Sequence, residues 1–456
     1  MIENKIDLKT KISEKRFQIT VKRKKAKQNK RRIEHENYLR IKKYFGGKVT
    51  YEKLLENWLP TNLDYLLNCE KAAFHNTLPF KNVYDKIKIP TNFSLIDHPK
   101  ESHNFIRKLT ISILSLKFSK IEIDYSDCIN IDLGAQIYLD IILKDLLKFI
   151  NKCKTSPIKS PNFPNISGSN INNPNIQKML FSVGSPAILN KKSVPFKDII
   201  TYKLCIHNKE SNANRVKNAE RKEIDSTEMV YYIIDSLKRL GKKLTSDKIE
   251  DFSTVIGEAL INAEEHSTTQ HRFSTGYFQE HRINNEHFGI FNLVILNFGE
   301  TIYQKFNSPD CTNYDIVNKM KNLSKKFTKK KIFSNNFTEE NLWTLYALQE
   351  GVTSVSTKDY KRGNGSIRFI ESFFNIKGVN GNKDDISRLS IISGSTNITF
   401  DGSYNIIDNG KFKIMAFNKE GNIEEKPDKT YVKNVNEYFP GTMISARILI
   451  NKDDIV

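Results

Sequence analysis

Apolar positions are unevenly spread along the chain, and their spacing changes character four times. Up to residue 47 they are sparse (Phe17, Ile19, Val21, Ile33, Tyr38, Leu39, Ile41) and set among basic residues. No Pro or Gly interrupts this stretch before Gly46-Gly47, so it can be helical, but it lacks a strong core face. Residues 51–59 and 63–74 carry helical spacing and are punctuated by Pro60 and Pro79. From 91 to 150 the pattern predicts a strand at 93–96, a helix at 104–116, an alternating strand at 120–126 and an apolar-rich helix at 135–150. Residues 154–175 are rich in Pro, Ser and Asn and read as a flexible insertion. Apolar patterning resumes at 176–184, and a polar stretch at 208–222 reads as a boundary.

The last regime opens with helices at 226–240 and 249–267. Strands are predicted at 272–281 and 288–297, with a turn at 283–286. A Lys-rich connection at 319–331 leads to a helix at 365–374. Strands at 389–392 and 396–400, a hairpin at 411–424 and a final strand at 442–450 follow. The fold class is α/β, in the manner of an α+β sandwich: a mixed sheet covered by helices, behind a small α/β domain and a basic helical segment. The expected divisions are 1–47, a helical connector at 48–90, a domain at 91–195 containing the insertion at 154–175, a linker at 196–225 and a domain at 226–456.

A chain of 456 residues suggests two or three such domains, and 38% hydrophobic with 11% aromatic residues suffices for packed cores. No apolar run approaches the ~20 residues of a membrane helix, and the start lacks a secretory core, so no membrane role is expected. The cysteines Cys69, Cys128, Cys153, Cys205 and Cys311 have no metal or redox spacing and suit reduced thiols of a cytoplasmic protein. The net charge of +20 attracts anionic partners. Its sharpest cluster, Lys22 to Arg32, makes the N-terminal segment a candidate arm for nucleic acid or an acidic partner. Richness in Lys, Asn and Ile can equally follow from an AT-rich genome, and a solvated helix explains the segment as well.

Candidate chemistry lies in the last regime. On the helix at 249–267, Glu258, Asn262 and His266 recur every four residues and share one face. An Asn oxygen suits Mg2+, and a Glu one turn away can orient a water or hydroxyl. Downstream, an apolar strand runs into Asn297-Phe298-Gly299, where a glycine turn lets the backbone approach a flat ligand whose edge Asn297 reads. Lys361-Arg362-Gly363-Asn364-Gly365 then opens a helix, with backbone N–H groups and two cations suited to an anion. Gly441-Thr442 starts the final strand. Each motif alone is a common turn or solvated face; their order carries the weight.

That order resembles the GHKL, or Bergerat-fold, ATPases, in the anti-sigma-factor serine/threonine kinase branch. The resemblance covers about half the chain. It implies Mg-ATP as cofactor, with Asn262 binding Mg2+ and Glu258 as general base or water positioner. It also implies Asn297 at the adenine amino group, Gly299 in the first glycine box, Lys361 to Gly365 at the phosphates and Thr442 closing the adenine pocket. The family usually has Asp where this chain has Asn297, which removes charge assistance from the adenine contact. Residues 121–135 and 179–184 resemble a STAS domain, which implies a protein-interaction module. In that family a serine can follow the central Asp; here Leu133 follows Asp132, and Ser126 is the nearest serine. The function expected is an ATPase or nucleotide-controlled switch, alternatively a protein serine/threonine kinase, alternatively a nucleic-acid-binding protein under nucleotide control. A homodimer is left open.

Overall fold

The computed structural model describes residues 2–47, 49–68, 84–155, 161–184, 196–208, 215–265, 271–283, 286–328, 337–354, 363–377 and 387–450. It divides into two compact units, residues 1–60 with 144–163, and residues 61–143 with 164–456. The second unit holds all of the stretch expected at 226–456 and that expected at 91–195 apart from residues 144–163.

In the smaller unit, α1 (Ile2–Tyr44) is a 43-residue helix whose described side chains are almost all exposed, as its sparse apolar pattern requires. α2 (Tyr51–Trp58) starts at Thr50, whose hydroxyl accepts from the Lys53 N–H at 3.5 Å. Aromatic rings supply much of its packing: Phe45 meets Trp58 at 5.7 Å, and Phe163 meets Tyr51 and Phe149 at 6.1 and 5.9 Å.

The larger unit begins with α3 (Thr61–Asn68), β1 (Lys86–Lys88), β2 (Asn92–Phe93), α4 (Pro99–Leu114), β3 (Lys120–Asp124), β4 (Asn130–Ile131) and α5 (Leu133–Thr155). From residue 144 onward α5 belongs to the smaller unit. β5 (Asn165–Ser169) and α6 (Pro174–Ser182) follow. β1, β3 and β5 form a parallel sheet in that order, with Ile87 opposite Ile123 and Ile123 opposite Gly168. β2 pairs with β4, also in parallel. The insertion expected at 154–175 is therefore corrected, because residues 165–169 are a strand of this sheet. α6 is fixed at its start by Asn173, whose side chain accepts from the Asn175 N–H at 2.9 Å, and by Pro174 in the first turn.

The remainder is one five-stranded sheet with its helices. In chain order come β6 (Ile199–Asn208), α7 (Arg215–Lys238), α8 (Ser246–Glu265), β7 (His271–Ile283), β8 (Glu286–Phe298), α9 (Ile302–Asn307), α10 (Tyr314–Thr328) and α11 (Glu339–Ala347). α12 (Gly365–Ile376), β9 (Arg388–Phe400), β10 (Ile407–Asp408), β11 (Lys413–Ile414) and β12 (Val432–Ile450) complete it. The strand order is β6-β7-β8-β12-β9, antiparallel throughout rather than mixed. The reason is local: β7 and β8 are a hairpin in which Ile283 faces Glu286, and the long connections return each later strand in the opposite sense. Three further expectations are corrected here. The linker at 196–225 supplies β6 and the start of α7. The Lys-rich connection is mostly α10. The two strands at 389–392 and 396–400 are one, β9, bent at Gly394 with φ +59°.

The sheet has two covered faces. On one, Phe252, Val255, Ile256 and Ala259 of α8 join Leu293 and Ile295 of β8 and Ile444 and Ala446 of β12 in a single buried core, which α12 also enters through Ile370 and Phe373. Each of the larger of these side chains, from Val to Phe, contributes about 1.5–3 kcal/mol on burial. On the other face, Tyr138 of α5 packs its ring on Phe298 and Phe439, at 5.8 and 5.2 Å. Double coverage explains why β8 from Ile290 to Phe298 reads as an almost unbroken apolar run instead of an alternation.

Candidate functional site

Two pairs of elements position the sequence-predicted residues. In the first, α8 lies beside α12. Glu258 and Asn262 are half-buried and stand one turn apart, flanked by the buried Ala259 and Ala263. The Glu258 carboxylate rests against the first residue of α12: a Cβ on Gly365 would collide with its Oε2. Asn364 precedes that helix but does not cap it with its side chain. Its Oδ1 instead accepts from the Gly351 N–H at 3.3 Å. Gly363 has φ +95°, and a Cβ there would meet the Gly351 carbonyl carbon at 2.9 Å, so this turn requires glycine. The result is an anion-favouring helix end with a carboxylate already against it.

The second pair is β8 with β12. Thr442 stands opposite Asn297 in the register, Arg272 of β7 stands on its other side, and Ser393 of β9 completes the row. Alternation places all four on the same face as Leu293 and Ile295, which is the face α8 covers. Asn297 and Ser393 are 0% exposed, and Thr442 is 6% exposed. The Ser393 and Thr442 hydroxyls lie 3.0 Å apart, and Ser393 Oγ accepts from the Ile302 N–H at 2.9 Å. Gly299 (φ +133°) donates its N–H to the Pro440 carbonyl at 3.1 Å. Gly441 (φ +146°) lies so close to the Asn297 carbonyl that a Cβ would overlap it. The first glycine motif and the Gly-Thr motif, 142 positions apart in Gly299 and Gly441, are thus hydrogen-bonded neighbours at one end of the sheet.

A buried charged cluster, missed from the sequence, adjoins this row. Arg272 Nη2 is 2.8 Å from Asp225 Oδ2, and Arg221 Nε is 3.0 Å from the other Asp225 oxygen. Glu264, near the end of α8, lies 3.8 Å from Arg272 Nε and 3.7 Å from Lys222 Nζ. His207 of β6 is 4.0 Å from Glu264, and its pKa is lowered by burial and then by Arg272. The spacing Arg221–Asp225 was a visible clue, since residues four apart pair on a helix. Arg272 and Ser393 gave no comparable signal, because only strand register brings them beside Asn297.

Lys361, Arg362 and His266 lie outside the described residues. In the parallel layer, Asp132 accepts from the Leu95 and Ala135 N–H groups at 2.9 and 2.6 Å and so caps α5. Ser126 donates its hydroxyl to Asp124 at 3.2 Å and to Asp127 at 3.0 Å, away from that helix start. Among the described residues no group of three His, Cys, Asp or Glu side chains could hold a metal. No helix among them is long and apolar enough to cross a membrane. Comparison with known proteins finds no matching family model, no similar curated protein and no similar solved structure.

Proposed function

We propose that this chain is a Mg-ATP-binding regulatory protein that hydrolyses ATP or switches with nucleotide state, and that its parallel α/β layer serves as a protein-interaction module. The observation carrying this reading is the contact between Glu258 and Gly365. It puts the candidate base at the helix end where an anion is favoured, in the same core that covers Asn297 and Thr442.

The donor set fits a magnesium nucleotide. Mg2+ usually arrives on phosphate oxygens, keeps several waters and needs only one or two protein oxygens. Asn262 supplies such an oxygen one turn from Glu258, so the lack of a carboxylate cluster among the described residues is no obstacle. When bound, the ion would neutralise phosphate charge. The chain's own residues would do the rest: the backbone from Gly363 to Gly365 cradles phosphate, Asn297 accepts from the adenine amino group, and Thr442 lies beside it. Glu258 would hold the attacking hydroxyl and take its proton. Its contact with Gly365 supports a place for it near the phosphates.

The kinase reading uses the same residues and differs only in whether the acceptor is water or a protein hydroxyl. Incubation with γ-labelled ATP separates them: free phosphate supports hydrolysis and labelled protein supports the kinase. Asn262→Ala is expected to abolish Mg-nucleotide binding, measured by calorimetry. Glu258→Ala is expected to spare binding and lower turnover by about 100-fold or more. Normal turnover in Glu258→Ala would remove the role assigned to it.

A further inference from the structure

The face of the five-stranded sheet turned away from α8 holds a cavity of about 300 Å³, at the small end of the range for ligand pockets. Its floor is two register rows. Tyr277, Asn292 and Arg447 form one, and Ile199, Gln279 and Ile290 form the other. Its opposite wall comes from the parallel layer, through Asn130 and Ile131 of β4 and Asn175, Ile176 and Met179 of α6.

The floor carries four polar side chains. Among the described residues, those of Tyr277, Gln279, Asn292 and Arg447 have no hydrogen-bond partner. Tyr277 is 8% exposed, and its side chain lines the cavity. A few polar groups converging on a partly apolar cavity are what a ligand site offers. The charges point to its sign. Lys178, also at the cavity, is already paired with Asp198 at 2.6 Å. Arg447 has no ion-pair partner among the described residues and lies close enough to Tyr277 to act on its ionisation. Burial pushes the Tyr277 phenol up to about 12, opposed by Arg447 and reinforced by the more weakly acting Asp132, so it remains a hydrogen-bond donor at neutral pH. A guanidinium, a phenol and two carboxamides form a donor-rich floor suited to a carboxylate or phosphate.

We propose that this cavity is a second ligand site, for a small organic anion whose carboxylate or phosphate is held by Arg447 and Tyr277 while its apolar body rests on Ile176, Met179 and Ile290. None of these residues belongs to the nucleotide site, and the two proposals stand or fall separately. A ligand here would touch the parallel layer and the sheet at once.

The test is calorimetric titration of the full chain with benzoate, phenyl phosphate and neutral benzamide. At least one anion is expected to bind with a Kd below about 1 mM, and benzamide about tenfold more weakly or less. The preferred anion identifies the head group. Arg447→Gln, at an exposed position, is expected to weaken binding about tenfold with an unchanged melting temperature, and Tyr277→Phe several-fold. Saturating ATP is expected to leave the anion bound. Failure of both anions to bind up to about 10 mM, undiminished binding by Arg447→Gln, or displacement by ATP would each overturn the proposal.

Discussion

The two faces of the five-stranded sheet are built from the same strands, yet they treat polar residues in opposite ways. On the α8 face, the row Arg272, Asn297, Thr442 and Ser393 is buried and tied in: Arg272 to Asp225, Thr442 to Ser393, Ser393 to the Ile302 N–H. On the opposite face, Tyr277, Asn292 and Arg447 sit in a cavity without hydrogen-bond partners among the described residues. Neighbouring positions on one strand therefore have different jobs. Where polar groups pair with one another, they hold the strand ends and turns in place. Under the two proposals, Asn297 and Thr442 at the end of the first row would also meet nucleotide, and the second row would meet a small anion.

Four changes break or sharpen this contrast. The largest effect is expected for Arg272→Met, which leaves Asp225 and Glu264 without their buried cation and should destabilise by about 3–5 kcal/mol in urea unfolding. Arg447→Gln should stay within about 0.5 kcal/mol, because it breaks no hydrogen bond or ion pair among the described residues. Equal losses would erase the distinction between the faces. Next comes Gly441→Ala. It forces a Cβ toward the Asn297 carbonyl at φ +146° and should cost about 1–3 kcal/mol. It should also weaken nucleotide binding while leaving anion binding on the other face intact.

A smaller loss than that of Gly441→Ala concerns the ion pair that ties the parallel layer to the sheet edge. Arg388 donates to both Asp97 oxygens, at 3.0 and 2.9 Å, with both side chains more than a third exposed. Arg388→Gln should therefore cost at most about 1 kcal/mol. Partial burial pushes the Asp97 carboxyl up, but the Arg388 hydrogen bonds and charge outweigh it and hold the pKa below the usual range. The pair's contribution is present above the unfolded carboxylate pKa and fades as pH falls through the lowered folded value. Stability curves of parent and Arg388→Gln should converge in acid and separate toward neutrality.

Much of the fold was legible where one pattern dominates a segment. The α8 stripe from Phe252 to Ala263 and the apolar run of β8 announced their elements because a core face fixes their period. What escaped had a non-local cause. β5, with the sequence Asn-Ile-Ser-Gly-Ser, is a strand because β3 pairs with it, not through its own propensity. β9 read as two strands because Ser393-Gly394-Ser395 looks like a turn. In fact Gly394 accommodates Glu340, which accepts from the Ser395 N–H at 3.1 Å. α10 was hidden by its lysines, although Ile316, Met320, Leu323 and Phe327 keep a helical stripe beneath them. The candidate site divides in the same way. Glu258 and Asn262 are readable at helical spacing, and the glycines at turns. Arg272 and Ser393 are defined only once register is known.

β12, from Val432 to Ile450, lies between β8 and β9 although it follows both in the chain. During synthesis, β6, β7 and β8 can assemble early as a meander, but the inner edge of β8 has no partner until about 140 further residues have emerged. That edge is apolar and more than six residues long, the kind of template on which other chains pair. Slow translation or truncation anywhere between residues 300 and 432 should thus yield aggregation rather than a smaller soluble domain.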